Sequence, residues 1–202
     1  FGRRPRDGPA ESSAALNNRI LTWLDQRSSK SPTFIVALSE DLLEPFGTPG
    51  PDGSHFISDE ERQWYYQVRK KLMAMRPGPL SLATADDLRR LKVDSGDFAR
   101  AYRNLYDSAL YYTDRQIATL RAELDSRGYW SRALFAVVST RGEEMGERGA
   151  FGHGFFLYDS SIRVPAVVSF PAKIPRPVPF LKIWDTVVLM PTSLYLLEIP
   201  LP

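Results

Sequence analysis

Apolar residues recur along this chain at two periods, and the switches between them lay out its elements. From about Ser12 to Gln26, Leu16, Ile20, Leu21 and Leu24 fall at helical spacing, with Ser12 or Ser13 placed to cap the helix. Thr33 to Leu38 is a short continuous apolar run rich in strand formers, which predicts a buried strand. A loop follows from Glu44 to Ser58, punctuated by Pro45, Gly47, Pro49, Gly50, Pro51 and Gly53. Ser58-Asp-Glu-Glu61 then supplies a cap and first-turn carboxylates for a helix reaching about Met75, ahead of Pro77-Gly-Pro79. Thr84 to Arg90 reads as a further helical turn.

The longest periodic segment runs from about Ser95 to Arg127. Phe98, Tyr102, Leu105, Ala109, Tyr112, Ile117, Leu120 and Leu124 mark its buried face, and Gly128 stands where a helix should stop. Ala133 to Ser139 and Arg163 to Phe170 are the second and third strand-like runs, separated by a glycine-rich loop from Arg141 to Gly154. Trp184 to Leu197 reads as a helix despite Val187, Val188 and Pro191. The tyrosines Tyr102, Tyr106, Tyr111 and Tyr112 sit at helical spacing, which favours core packing over stacking on a ligand. Strands alternating with helices predict an α/β domain with a largely parallel sheet. Residues 1–11 read as a flexible leader and 12–202 as the domain.

Composition narrows the chemistry. A net charge of +2 without a long basic run gives no argument for nucleic acid as a partner. The absence of cysteine excludes a disulfide framework, a thiolate metal site and a cysteine nucleophile within these residues. No apolar stretch approaches the roughly 18 residues that cross a bilayer. The chain opens at Phe1 in a polar Arg/Pro/Gly stretch, and both ends read as boundaries within a longer protein.

Three stretches, in order, carry a resemblance. Tyr111 through Leu124 and Gly128 lead by a long helix into the strand Ala133 to Ser139. Next comes Ser139-Thr-Arg-Gly-Glu-Glu-Met-Gly-Glu-Arg-Gly149, with Phe151-Gly-His-Gly154 after it. Leu157-Tyr-Asp-Ser-Ser-Ile-Arg-Val-Pro165 is the third, and Trp184-Asp-Thr, Met190-Pro-Thr192 and Leu197-Glu-Ile-Pro200 follow more loosely. Together they resemble the later part of the catalytic domain of the sulfatase family, in the alkaline-phosphatase-like superfamily. The resemblance implies a three-layer α/β fold with a largely parallel sheet, incomplete here because the family's first strand, with its Asp-Asp pair, and its Cys/Ser-x-Pro-x-Arg nucleophile segment have no counterpart in these residues.

The resemblance also implies where chemistry should sit, and there the sequence departs from it. Sulfate or phosphate ester hydrolysis on this fold uses a divalent cation to stabilise charge on the transferring group. The family's second ligand pair is Asp-His, and the matching positions are Thr140 and Arg141. A hydroxyl is a neutral donor where a carboxylate belongs, and a guanidinium keeps its proton and repels a cation. Arg148 stands where a second histidine often lies, and Leu38-Ser-Glu-Asp-Leu42 lacks the histidine usual after the matching strand. His55 and His153 are the only histidines.

These departures imply a vestigial site of Thr140, Arg141, Glu143, Arg148 and His153, with no metal, no cofactor and no catalytic residue. His153 matches the family residue that contacts the sulfate. Held by packing or a backbone hydrogen bond, it is a plain loop histidine; turned to the site, it meets an anion. Glu143, Glu144 and Glu147 have the donor type of metal ligands, but read rather as solvated loop charges or as partners for Arg141 and Arg148. A sharper expectation makes Arg141 the replacement for the ion, its charge neutralising carboxylates that once held metal. The function expected is that of a pseudoenzyme, a structural or interaction subunit. Its partners would be other subunits or an unseen part of the same polypeptide, in a periplasmic or other extracytoplasmic setting, with membrane attachment through an unseen segment. A metal-dependent sulfatase or phosphoesterase completed by an unseen half, and an anion-binding module without turnover, are the competing readings. The proline-rich segment Pro171 to Pro179 reads as a stiff loop, or as an extended docking segment.

Overall fold

The computed structural model describes residues 11–27, 31–48, 50–75, 83–180 and 182–200. The expected leader, apart from Glu11, and the Pro77-Gly-Pro79 breaker lie outside the described residues. Two compact units emerge. One holds the described residues up to Leu120 together with Arg141–Arg163; the other holds Arg121–Thr140 and the described residues from Val164 onward.

The first unit is helical, and its helices begin where small polar side chains can cap them. Helix α1 spans Ser13–Gln26, and the Ser12 side chain accepts from the backbone N–H of Ala15. Helix α2 spans Asp59–Met75, with the Ser58 hydroxyl accepting from Glu61 N–H at 3.1 Å. The short α3, Ala85–Arg90, opens with a reciprocal capping box. Thr84 Oγ1 accepts from Asp87 N–H, and Asp87 Oδ2 accepts from Thr84 N–H. Helix α4 spans Ser95–Ser126, and Gly128 past its end takes φ = 71°, a left-handed conformation that glycine adopts without a Cβ clash.

The core of this unit is aromatic. Phe98, Tyr102, Leu105 and Ala109 on α4 are buried against Tyr65 and Val68 of α2, Leu88 of α3, and Phe46 and Ile57 of the long loop. Phe46 meets Tyr102 edge-on at 5.1 Å between ring centroids, and Phe98 meets Phe151 edge-on at 5.0 Å. These geometries place ring edges on ring faces, as the aromatic quadrupole favours. The expectation that Tyr102 and Tyr112 pack in the core holds, whereas Tyr111 is half-buried and stacks on the exposed His55 at 4.1 Å.

The expected buried strand at Thr33 to Leu38 does not form among the described residues. This segment takes no regular secondary structure and pairs with no strand, and Phe34, Val36 and Leu38 are exposed. An apolar run becomes a strand only when a neighbour takes its backbone hydrogen bonds, and the described residues supply none. Within the first unit, the glycine-rich loop holds a small antiparallel pair, β2 (Glu144–Met145) and β3 (Phe151–Gly152), in which Glu144 faces Gly152 and Met145 faces Phe151. Ala85 N–H donates to Gly149 O and Phe151 N–H to Ala83 O, both at 2.9 Å, tying this hairpin to the start of α3. A single helical turn, α5 (Asp159–Ile162), follows.

In the second unit, β1 (Phe135–Val138) pairs with β4 (Ala166–Ser169), and Phe135 lies opposite Ser169. The pairing is antiparallel, so the described residues do not show the largely parallel sheet that was expected. Periodicity marks a strand but carries no record of its direction, because either sense buries the same side chains. The C-terminal helix α6, Leu189–Leu196, follows a 3-10 turn at Thr186–Val188 that Asp185 caps. Pro191 lies in the first turn of α6, where a missing N–H costs no helical hydrogen bond. The segment from Pro171 to Pro179 forms turns and irregular chain.

Candidate functional site

The glycine-rich loop leaves β1 through Thr140 and returns through α5, and its backbone approach decides its residues. Gly142 N–H donates to Ser161 O at 2.8 Å and Glu143 N–H to Ser160 O at 2.9 Å, lacing the loop onto α5. A Cβ on Gly142 would lie 1.8 Å from the Ser160 carbonyl oxygen, so only glycine permits this approach. Gly146 takes φ = 97°, and a Cβ there would stand 2.8 Å from the Phe151 ring.

This path turns two carboxylates inward. Glu143 is buried; its Oε1 accepts from Tyr102 Oη at 2.5 Å, and its Oε2 lies 2.9 Å from His153 Nδ1. The result is a chain of hydrogen bonds from the N-terminal part of α4 through the loop to a histidine whose side chain keeps 23% of its exposure. Burial pushes the Tyr102 hydroxyl far above the usual tyrosine range, and the adjacent Glu143 charge pushes it the same way. Glu144 is buried more deeply, at 1% exposure. Its Oε1 accepts from Ser160 Oγ at 2.5 Å and Ser161 Oγ at 2.8 Å. Arg148 Nη1 lies 3.7 Å from its Oε2, and the Arg148 guanidinium sits 4.1 Å over the Tyr158 ring.

The five residues expected at the site divide accordingly. Glu143 and His153 meet directly. Arg148 joins Glu144, as one of the expected pairings had it. Thr140 is exposed in a bend two residues past β1, and Arg141 is half-buried and engaged. The reading of Glu143 and Glu144 as solvated charges is overturned: both are buried and hydrogen-bonded, while Glu147 alone of the three is exposed, 3.9 Å from Arg103. His153 is held by a carboxylate, and neither expectation for it included Glu143. A charge left unsolvated needs donors, and Tyr102, Ser160 and Ser161 provide them. Of these, Tyr102 was legible as a core residue, but nothing in its spacing pointed to a loop 41 positions away.

Asp41 is a further residue the sequence did not single out. In the segment where the family usually has histidine, Asp41 is buried and accepts from Ser13 N–H at 2.9 Å and from the Ser13 hydroxyl. A carboxylate there satisfies an N-terminal N–H of α1 and complements the positive end of its dipole.

The donor set does not fit a divalent cation. Thr140 offers a neutral oxygen and Arg141 a permanent positive charge. Among the described residues, no three of His, Asp or Glu converge as ligands. No described helix is long and apolar enough to cross a membrane. A model of the sulfatase family matches residues 4–197, while no curated protein shows a significant match to the chain.

Proposed function

We propose, from the premise that this chain belongs to the sulfatase family, that it serves as a non-catalytic structural or interaction subunit of a larger assembly. The observation that carries this reading is Thr140-Arg141 just past Ser139, the residue that follows β1, where an Asp-His ligand pair would be needed to hold the cation. Of the buried carboxylates that follow it, Glu143 is engaged by Tyr102 and His153, and Glu144 Oε1 by Ser160 and Ser161.

Exposed apolar chain supports the partner half of the reading. In the first unit, Val36 is 76% exposed within the apolar Thr33–Leu38 run; in the second, Ile183 is 90% exposed. Segments of this composition need covering by another polypeptide. The reading therefore includes completion of a three-layer α/β domain with a largely parallel sheet, either by another stretch of the same protein or by another subunit. A periplasmic or outer-surface setting, with attachment to a membrane through a segment outside these residues, belongs to the same proposal.

The test is the native mass of the protein purified from its source, with every polypeptide identified and sulfate and phosphate esters assayed with and without chelator. Recovery in a multi-subunit complex without turnover supports the subunit reading. Chelator-sensitive hydrolysis by a lone longer chain would replace it with a metal-dependent sulfatase or phosphoesterase. His153, braced on Nδ1 by Glu143, favours one second reading, an anion-binding module. Sulfate binding without turnover, lost in His153→Ala, would support it.

A further inference from the structure

We propose that the glycine-rich loop carries its own cation, Arg148, and reaches its folded form without any divalent ion. The inference rests on the reading that the family's metal pair is lost, and it says what replaces the charge. The sequence pointed to Arg141 for a role of this kind; Arg148 makes the contact to the buried Glu144.

Glu144 poses the electrostatic problem. Its side chain is 1% exposed, and while Oε1 has two serine hydroxyls, Oε2 is buried with no hydrogen-bond partner. A carboxylate in that position is destabilising unless a positive charge stands close. Arg148 supplies it. Its Nη1 lies 3.7 Å from Oε2 and donates to Ser160 Oγ at 3.3 Å, and its Cζ stands over the Tyr158 ring at 4.1 Å from the centroid. The cation is thus fixed by a carboxylate, a hydroxyl and an aromatic face at once, the combination in which a planar guanidinium outperforms an ammonium. Glu143, the neighbouring carboxylate, has a donor or ring nitrogen at each oxygen. A divalent ion entering this loop would face a guanidinium beside Glu144 Oε2 and a Glu143 carboxylate with both oxygens occupied.

The experiment follows the thermal unfolding of the full polypeptide that contains this chain. The melting temperature should be the same in chelator and in millimolar magnesium, calcium or manganese. Arg148→Ala should lower it by roughly 4 °C or more, since the buried carboxylate loses its counter-charge. Arg148→Lys should retain part of the stability, and Glu144→Gln added to Arg148→Ala should recover part of the loss, because the orphaned charge is gone. Stabilisation of the wild-type protein by a divalent ion would overturn the proposal, and so would an Arg148→Ala protein as stable as wild type. If Arg148→Ala gives no folded protein, the double variant decides: a folded double variant supports the proposal, an unfolded one overturns it. Ester hydrolysis or recovery as a lone chain would remove the subunit reading and leave these melting data standing.

Discussion

Tyr102 Oη donates to Glu143 Oε1 at 2.5 Å, joining the N-terminal part of α4 to the glycine-rich loop across 41 residues of sequence. Both side chains are buried, so neither can exchange the bond for water. Tyr102→Phe keeps the ring in its contacts with Phe46 and Phe151 but strips Glu143 of a donor. A buried charged acceptor left short of a partner costs about 1–3 kcal/mol. The expected outcome is a lower urea midpoint with an unchanged slope; an unchanged midpoint would show that the bond contributes nothing net.

Alkaline pH should unfold the first unit through two tyrosines. Burial raises Tyr65 and Tyr102 above the ordinary value, and the charges of Glu44 and Glu143 raise them further. In the unfolded chain both lose their protons near pH 10, while the folded protein keeps them. The unfolded state then binds fewer protons, so stability is full below about pH 10 and falls above it, by roughly 1.4 kcal/mol per pH unit for each tyrosine. Phenolate absorbance at these two positions should rise only together with loss of the near-ultraviolet circular dichroism signal. Ionisation of both in a still-folded protein would refute the assignment.

Two glycines separate backbone approach from mere flexibility. Gly142→Ala would place a methyl 1.8 Å from the Ser160 carbonyl oxygen, whereas a methyl at Gly47 meets nothing within 4 Å. The first substitution should break the two backbone bonds that lace the loop to α5 and cost about 2 kcal/mol or more; the second should stay within about 0.5 kcal/mol of wild type. Denaturant melts of the two variants side by side test this, and equal stabilities would mean that the loop and α5 part freely.

What the sequence disclosed depended on how local the cause was. Ser12, Ser58, Thr84 and Gly128 act within one turn of chain, and the helix ends they imply agree with those observed. The buried face of α4 follows from its period in the same way, with Ile117 and Leu124 only half-buried toward its end. The β2–β3 hairpin escaped notice because two-residue strands leave no periodic trace. Val137 faces Val167 in an antiparallel pair, yet both runs read equally well as parallel. The burial of Glu143 and Glu144 was illegible for the opposite reason to the helix ends. It depends on Tyr102 and on Ser160 and Ser161, which sequence distance hides. The departure at Thr140 and Arg141, by contrast, was readable at once, since it needed only the chemistry of two side chains.

Exposed apolar positions offer the sharpest separation between folding and assembly. Val36 and Ile183 are 76% and 90% exposed, so an aspartate at either keeps its charge in water and disturbs little of its own unit. Val36→Asp and Ile183→Asp should therefore leave the unfolding free energy within about 0.5 kcal/mol of wild type. If these residues are covered by a partner polypeptide, the same substitutions bury an unpaired carboxylate in the interface, a penalty large enough to dissociate it. The expected outcome is a variant that melts like wild type yet elutes at a smaller native mass when purified from its source. Exposed Arg163→Asp, already charged and in water, serves as the control and should leave the mass unchanged. An assembly that survives both apolar-to-aspartate changes would mean that neither segment is a covered face, and the subunit reading would lose its structural support.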